Sequence, residues 1–260
     1  MAESNGTERA AAALIEDIPA RAPFRNWPED VLADVEAGFA AQTRVAEGLA
    51  PRFGGIGGRK IAWNTPAQME AMGLSEPGAA VVFKDLIRPS PARFAEADFM
   101  TFTVEPEIAA ILGEDLAPRY GGWTAETVRP AIARLVPAFE ILDWRGFAGG
   151  RPASAIAANV FNAGAVLGGP GAAPEEVDPA ALRSIVEASG ETILDKENAA
   201  PMDPFAAAAF LANRFNRLEQ TPKAGEILLL GAHVPPTKVS APARWRFSLG
   251  ALGEVEFELA

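Results

Sequence analysis

Three acids and a lysine stand where this chain is otherwise apolar. Glu105 and Glu107 flank Pro106 in a run, Phe102 to Ile108, that alternates like a β-strand. Residues i and i+2 of a strand point to the same side, about 6.5 Å apart, so both carboxylates share one face. Such a pair can grip one hard divalent cation, or it can be two solvated acids on an exposed strand. The apolar neighbours Phe102, Val104 and Ile108 weigh against simple solvation. Glu140 is set in the same way, between Phe139 and Ile141-Leu142. Acids are seldom buried unless paired or metal-bound, and three of them suit Mg²⁺ or Mn²⁺ with positions left open for substrate. Pro106 removes a ladder donor, which predicts an edge strand or a strand beside a site. Lys60 precedes Ile61 in a candidate core strand. It is either a surface lysine at a strand end or a group that orients a substrate and moves protons beside the carboxylates. His233, before Val234-Pro235-Pro236, is either a functional loop residue or an exposed one.

Composition narrows the chemistry. The 260 residues hold 23 Lys plus Arg against 34 Asp plus Glu, a formal charge of −11. That charge argues against nucleic acid as a partner, because phosphate contacts need a basic face. It argues equally against docking on anionic membranes. There is no Cys and a single His, which excludes disulfides, thiolate centres, Cys nucleophiles and any multi-His metal site. A metal would have to be held by oxygen. No apolar run reaches the roughly 20 residues of a membrane helix. The start, MAESNGTERAAAALIED, shows no basic stretch followed by an apolar one, so the expected location is the cytoplasm.

The elements that must position these residues divide at about residue 55. Residues 1–55 are expected to be a helical region, with one helix over Ala10 to Ile18. A second would begin at Pro28-Glu29-Asp30 and carry Val31, Val35, Phe39 and Val45 on one face. Gly54-Gly55-Ile56-Gly57-Gly58 then turns the chain. Lys60 here follows Arg59 and precedes Ile61, so the phosphate-loop spacing is not met. Over 56–260, strands are expected at Arg59 to Trp63, Ala79 to Phe83, Phe102 to Ile108, Phe139 to Trp144 and Ile227 to Leu230. A closing hairpin pairs Trp245, Phe247 and Leu249 with Val255, Phe257 and Leu259. Thr124 reads as the cap of a helix carrying Val128, Ala131, Ile132 and Leu135 until Pro137, and Ala206 to Leu218 as another. Regular βαβ alternation is absent, so the class is α+β.

In order, Gly58-Arg59-Lys60-Ile61, Val104-Glu105-Pro106-Glu107-Ile108-Ala109 and Pro137-Ala138-Phe139-Glu140-Ile141-Leu142-Asp143-Trp144-Arg145 resemble the fumarylacetoacetate hydrolase superfamily. The nearest branch is that of the 2-keto-4-pentenoate hydratases and 4-oxalocrotonate decarboxylases. Asn159 to Pro170, Ala206 to Arg214 and Ala224 to Ala232 agree with it, so the resemblance runs over roughly residues 35–260. It implies a mixed β-roll with an N-terminal helical region. It implies Glu105, Glu107 and Glu140 as ligands of Mg²⁺ or Mn²⁺, Lys60 as an active-site lysine with Asp85 as its acidic partner, and Asn159 as a substrate contact. The implied activity is a hydratase that ketonises a 2-hydroxy-2,4-dienoate and adds water, in the catabolism of aromatic compounds. Decarboxylation or C–C hydrolysis of a related 2-oxo acid is the neighbouring chemistry. A member without turnover, binding an oxo acid or a partner enzyme, is the non-catalytic reading. The partner implied is a small 2-oxo acid, and the assembly a homo-oligomer.

The chain departs from the pattern at Ala62-Trp63-Asn64-Thr65, where Gly-Leu-Thr-Ser is usual. It departs also at Ala158 and Phe161 around Asn159, at Asp203 before Pro204, and at Leu230. Trp63, Phe161 and Leu230 are therefore expected to line a more apolar pocket.

Overall fold

The computed structural model describes residues 2–260, with side chains from Gly6 onward. The chain begins with helices α1 (Ala2–Asp17) and α2 (Val35–Leu49). Residues 28–32 form a turn, not the start of the second helix. Asp34 is the cap instead, its carboxylate accepting from the Ala37 amide at 2.9 Å, because an extended side-chain acceptor satisfies an otherwise unpaired helix donor. Then come β1 (Ile56–Ala62), α3 (Pro66–Met72), β2 (Gly78–Phe83), β3 (Ile87–Pro89), β4 (Ala92–Phe94) and β5 (Phe102–Leu112). They are followed by α4 (Ala125–Val128), β6 (Ile132–Asp143), α5 (Pro152–Ala157), β7 (Asn162–Leu167), β8 (Gly169–Pro170), β9 (Arg183–Ala188) and β10 (Glu191–Glu197). The chain ends with α6 (Pro204–Arg217), β11 (Ile227–Ala232), β12 (Thr237–Lys238), β13 (Ala243–Leu249) and β14 (Gly253–Leu259).

The strands make two sheets. The larger runs β2-β1-β11-β5-β6-β7-β3, with β12 also on β5, and the smaller runs β10-β9-β13-β14-β4, with β8 on β14. Alternation decides which residue faces what. From β5 and β6, Phe102, Val104, Ile108, Phe139 and Ile141 enter the cluster between the sheets, where Phe139 meets Trp245, Phe247 and Phe257. That cluster continues into Leu14, Phe39 and Val45 of the first two helices and Leu211 and Phe215 of α6. The opposite face of the larger sheet carries Ala109, Val136, Ala138, Ala165 and Leu229, and with them Glu105, Glu107, Glu140 and Lys60. In a flat sheet, three strand spacings would put β1 roughly 14 Å from β6. Lys60 and Glu140 nevertheless touch at 3.1 Å, so this face is rolled inward.

Two expectations are corrected here. The helix expected from Thr124 ends at Val128, and Ile132 to Asp143 is a twelve-residue strand. Pro130 denies the helix a donor one turn in, and pairing of Ile132 and Leu135 with β5 on one side, with Ala172 bridged to Leu135 on the other, takes the apolar residues that had suggested a stripe. Pro106, in turn, lies on an interior strand. Its carbonyl accepts from the His233 amide at 2.8 Å. In antiparallel pairing a residue's N and O face the same neighbour, so the missing donor faces His233, just past the end of β11, and leaves the pairing with Phe139 of β6 untouched.

α2 seats α5, which leads directly into the segment that forms one wall of the site. A Cβ on Gly38 would stand 2.5 Å from the carbonyl oxygen of Ala153. Gly38→Ala is therefore expected to destabilise the fold by about 1–3 kcal/mol, the usual range for overpacking, measured as a lowered denaturant midpoint with an unchanged slope.

Candidate metal centre and pocket

Glu105 and Glu107 leave β5 on the same face, and Glu140 on β6 pairs in register with Glu105. Oxygens of the three carboxylates lie within 4.8 Å of one another. Like charges directly opposite on adjacent strands repel, and two of the three acids, Glu107 and Glu140, are held by a local device. The bulge in β11 puts Gly231 at φ +115°, where its amide leaves the ladder and donates to Glu107 Oε2 at 2.8 Å. A Cβ there would meet the Asn64 amide nitrogen at 2.3 Å, so only glycine fits. Glu140 Oε1 accepts from Asn162 Nδ2 at 2.8 Å and from Lys60 Nζ at 3.1 Å. Glu140 Oε2 is buried with no hydrogen-bond partner among the described residues.

Glu140 is fully buried and Lys60 is 2 % exposed. Burial, then the charge of Glu140, pushes the Glu105 carboxyl up to about 8 against the pull of Lys60. Burial and the two neighbouring carboxylates push Glu107 well above the usual range. Burial also raises Glu140, although Lys60 and Asn162 favour its charged form. For Lys60, burial favours the neutral amine, but Glu140, Glu105 and Glu107 outweigh it, and Lys60 stays an ammonium with its pKa above the ordinary value. Fully ionised, the three carboxylates and one ammonium would leave two negative charges in excess, the state that burial resists. A divalent cation restores neutrality, and the orphaned oxygen of Glu140 in an all-oxygen donor set fits a hard ion. Glu105, Glu107 and Lys60 open onto a cavity of about 330 Å³ that also touches Trp63, Asn64 and Phe161.

Not every expected residue arrives. Asp85 sits in the turn after β2, exposed, its carboxylate against Gly54. Lys60 pairs in register with Ala80, five residues earlier, roughly 16 Å along a strand. The carboxylates that act on Lys60 are the three glutamates. Asn159 commits both ends of its amide to the backbone of Val81, at 3.0 and 2.9 Å, and so ties the segment before β7 to β2. Leu230 points into the cluster between the sheets. Trp63 and Phe161 do line the cavity. His233 is neither exposed nor in the pocket. It packs edge-on against Phe247, with Nδ1 2.8 Å from Ser184 Oγ, and burial lowers its pKa to about 4. Asn162, Gly231, Asn64, Trp144 and Phe147 were not singled out from sequence. Asn162 stands in the segment Asn159 to Pro170, but only the strand register opposite Leu142 shows that it, and not Asn159, reaches an acid.

No family model matches the chain. It is 30 % identical over 206 residues to a 2-keto-4-pentenoate hydratase of Burkholderia vietnamiensis (strain G4 / LMG 22486), spanning 76 % of each chain. This chain belongs to the 2-keto-4-pentenoate hydratase family. A further member, from Paraburkholderia phymatum (strain DSM 17167 / CIP 108236 / LMG 21445 / STM815), is 29 % identical over 268 residues, 98 % of both chains. The fold matches 4-oxalocrotonate decarboxylase from Pseudomonas putida G7, complexed with magnesium and adipate, at a TM-score of 0.90 and 20 % identity, covering 100 % of this chain and 99 % of that one. That likeness bears out the mixed roll with helices. The structure separates the roles of four residues expected to matter for the pocket. Trp63 and Phe161 line the cavity, whereas Asp203 caps α6 by accepting from the Phe205 amide at 3.1 Å and Leu230 lies in the core.

Because the folded pKa of His233 lies below its ordinary 6.5, the unfolded chain binds the extra proton first. Its contribution to stability is present above about pH 6.5 and is lost as pH falls through about 4, amounting to up to about 3 kcal/mol. His233→Gln is expected to remove that part of the acid destabilisation, seen as a flatter denaturant-midpoint profile between pH 7 and 4 than the wild type gives.

Proposed function

We propose that this chain is a divalent-metal-dependent hydratase acting on a 2-hydroxy-2,4-dienoate or its 2-oxo tautomer. The observation that carries the reading is the convergence of three carboxylates, those of Glu107 and Glu140 buried and that of Glu105 partly exposed, on one point beside a buried ammonium, at the polar end of a cavity. Glu105, Glu107 and Glu140 would hold Mg²⁺ or Mn²⁺. A bound divalent ion would supply Lewis acidity to the 2-oxygen and carboxylate of the acid.

The chain's own groups supply the rest. Lys60 Nζ, fixed by Glu140 Oε1, is positioned to give a proton as the dienol becomes the 2-oxo-3-enoate, and to offset the negative charge that gathers on the enolate. Water addition then places a hydroxyl on C4 and a proton on C3, so that acid plus water gives the 4-hydroxy-2-oxo acid. Trp63 and Phe161 close the cavity on its apolar side and keep bulk water from the reacting carbons.

With 2-hydroxypenta-2,4-dienoate and Mg²⁺ or Mn²⁺, the dienoate absorbance should fall as 4-hydroxy-2-oxopentanoate forms, and a chelator should stop it. Lys60→Met is expected to lower kcat by about 10²–10⁴-fold with Mg²⁺ binding kept, and Glu140→Gln to lose the Mg²⁺ binding itself, both read by calorimetry alongside turnover. Release of CO₂ in place of the water adduct, or turnover that survives the chelator, would overturn the assignment.

A further inference from the structure

We infer that the site takes a 2-oxo acid whose far end is an uncharged, aryl-sized group, not a second carboxylate. This rests on the proposed reading of the head-group end and adds the tail. The cavity has two chemically distinct ends. At one stand the glutamates, Lys60 and Asn64. Asn64 is nearly buried, and its Nδ2 has no hydrogen-bond partner among the described residues. A donor left unpaired in a dry pocket is costly, and an oxygen of the acid's head would satisfy it.

The other end is aromatic. Phe147 and Phe161 lie with ring centroids 4.7 Å apart, and Trp144 stands edge-on to Phe147 at 5.9 Å. Phe24 backs both phenylalanines, at 5.0 and 5.4 Å. Edge and offset contacts of this kind are how rings prefer to meet another ring. The volume, about 330 Å³, falls in the range of about 300–1,000 Å³ that takes sizeable ligands, beyond what a five-carbon acid fills.

Charge points the same way. Among the residues lining the cavity Lys60 is the only cation, and its ammonium is already paired with Glu140. A distal carboxylate would lose its water against aromatic rings and find no unpaired cation on the cavity wall, only the neutral side chains of Thr65 and Gln68, which makes its burial unfavourable. The wall is also held in place under strain. Asn159, Val160 and Phe161 are three consecutive residues in the left-handed region, at φ +58°, +44° and +63°. For a β-branched residue such as Val160 that conformation is disfavoured by roughly 1–2 kcal/mol. It persists because Asn159 is clamped to Val81, and its result is that Phe161 enters the cavity while Asn162 reaches Glu140. Strain retained at a binding wall is the pattern expected of a functional constraint.

The test uses the full chain with Mg²⁺ and four unreactive probes, followed by calorimetry. Oxalate reports the head-group site alone. 2-Oxobutanoate, 2-oxo-4-phenylbutanoate and 2-oxoadipate share a head and differ in tail. The phenyl acid is expected to bind about tenfold or more tighter than 2-oxobutanoate, since most of a ring's apolar area is buried but part of the gain is lost to ordering. 2-Oxoadipate should bind no tighter than 2-oxobutanoate. Phe161→Ala should cut the phenyl advantage to about twofold or less without changing oxalate binding, and Phe147→Ala, at a partly exposed position, should do the same if Phe161→Ala does not fold. If oxalate binds and 2-oxoadipate matches or beats the phenyl acid, or the phenyl acid shows no advantage, the inference is overturned while the reading of the head-group site stands. If oxalate shows no Mg²⁺-dependent binding, the head-group reading falls, and the inference with it.

Discussion

A lysine ammonium and a glutamate carboxylate meet at 3.1 Å where neither reaches bulk water. Two further carboxylates crowd the same point. Taking isolated charges out of water costs several kcal/mol each, and the loss is recovered only where geometry and hydrogen bonds are good. The arrangement is therefore demanding, and much of the surrounding structure serves to meet that demand. The roll of the larger sheet brings β1 over β6. The bulge in β11 turns one backbone amide onto Glu107. The left-handed turn before β7 delivers Asn162 to Glu140. Even so, the groups still carry two formal negative charges in excess, and one buried oxygen has no donor. A cluster left this incomplete is a poor device for stability alone, because a small apolar residue at each position would spare the desolvation. It makes sense as a receptacle for a cation.

The two faces of the larger sheet divide the labour. One is continuous with the apolar cluster of the smaller sheet and the helices, and it supplies most of the burial. The other is lined with small residues such as Ala109, Ala138 and Ala165. Small side chains leave the space into which glutamate and lysine stems extend. The long, ordinary core on one side thus permits an unusual, polar interior on the other. The outer face of the smaller sheet, by contrast, is laced with exposed pairs such as Arg246 with Glu187 and Arg183 with Asp195, whose contribution is modest and screened by salt.

What was legible in the sequence followed from strand periodicity. Glu105 and Glu107 at i and i+2 must share a face, and Glu140, with Leu142 on its own face and Phe139 and Ile141 on the other, stands in a strand apolar on both sides, whatever the register between their strands. Other features depended on long-range partners and could not be read locally. Residues 131–135 fit a helical stripe and a strand equally well until β5 and Ala172 are known to flank Leu135. Asp85 lies near Lys60 in the chain, but the β1–β2 hairpin sends it to the far end. Asn159 and Asn162 are indistinguishable by type, and only three unusual dihedral angles decide which becomes a tether and which a ligand to Glu140. His233 stood between prolines and an apolar strand, a context that resembles a loop, yet the strand partner of Pro106 draws its backbone in and its ring ends up between the sheets.

The same left-handed turn links the two ends of the cavity. Phe161 and Asn162 are neighbours in the chain, one facing the aromatic wall and the other holding a metal-site carboxylate. Their backbone conformation is shared, so the position of the wall and the orientation of Glu140 are set together. Replacing Phe161 by a smaller side chain removes ring surface without touching the clamp from Asn159 to Val81, which is formed by the residue two positions earlier. Side-chain identity at 161 is thus free to vary, while backbone geometry there is not. This separation lets the side chains at Trp63 and Phe161 change without moving Glu105, Glu107, Glu140 and Lys60 out of one converging group. The acids and the lysine stand on strands fixed by the ladder, whereas the aromatic wall is mounted on turns, so the second can be altered without disturbing the first.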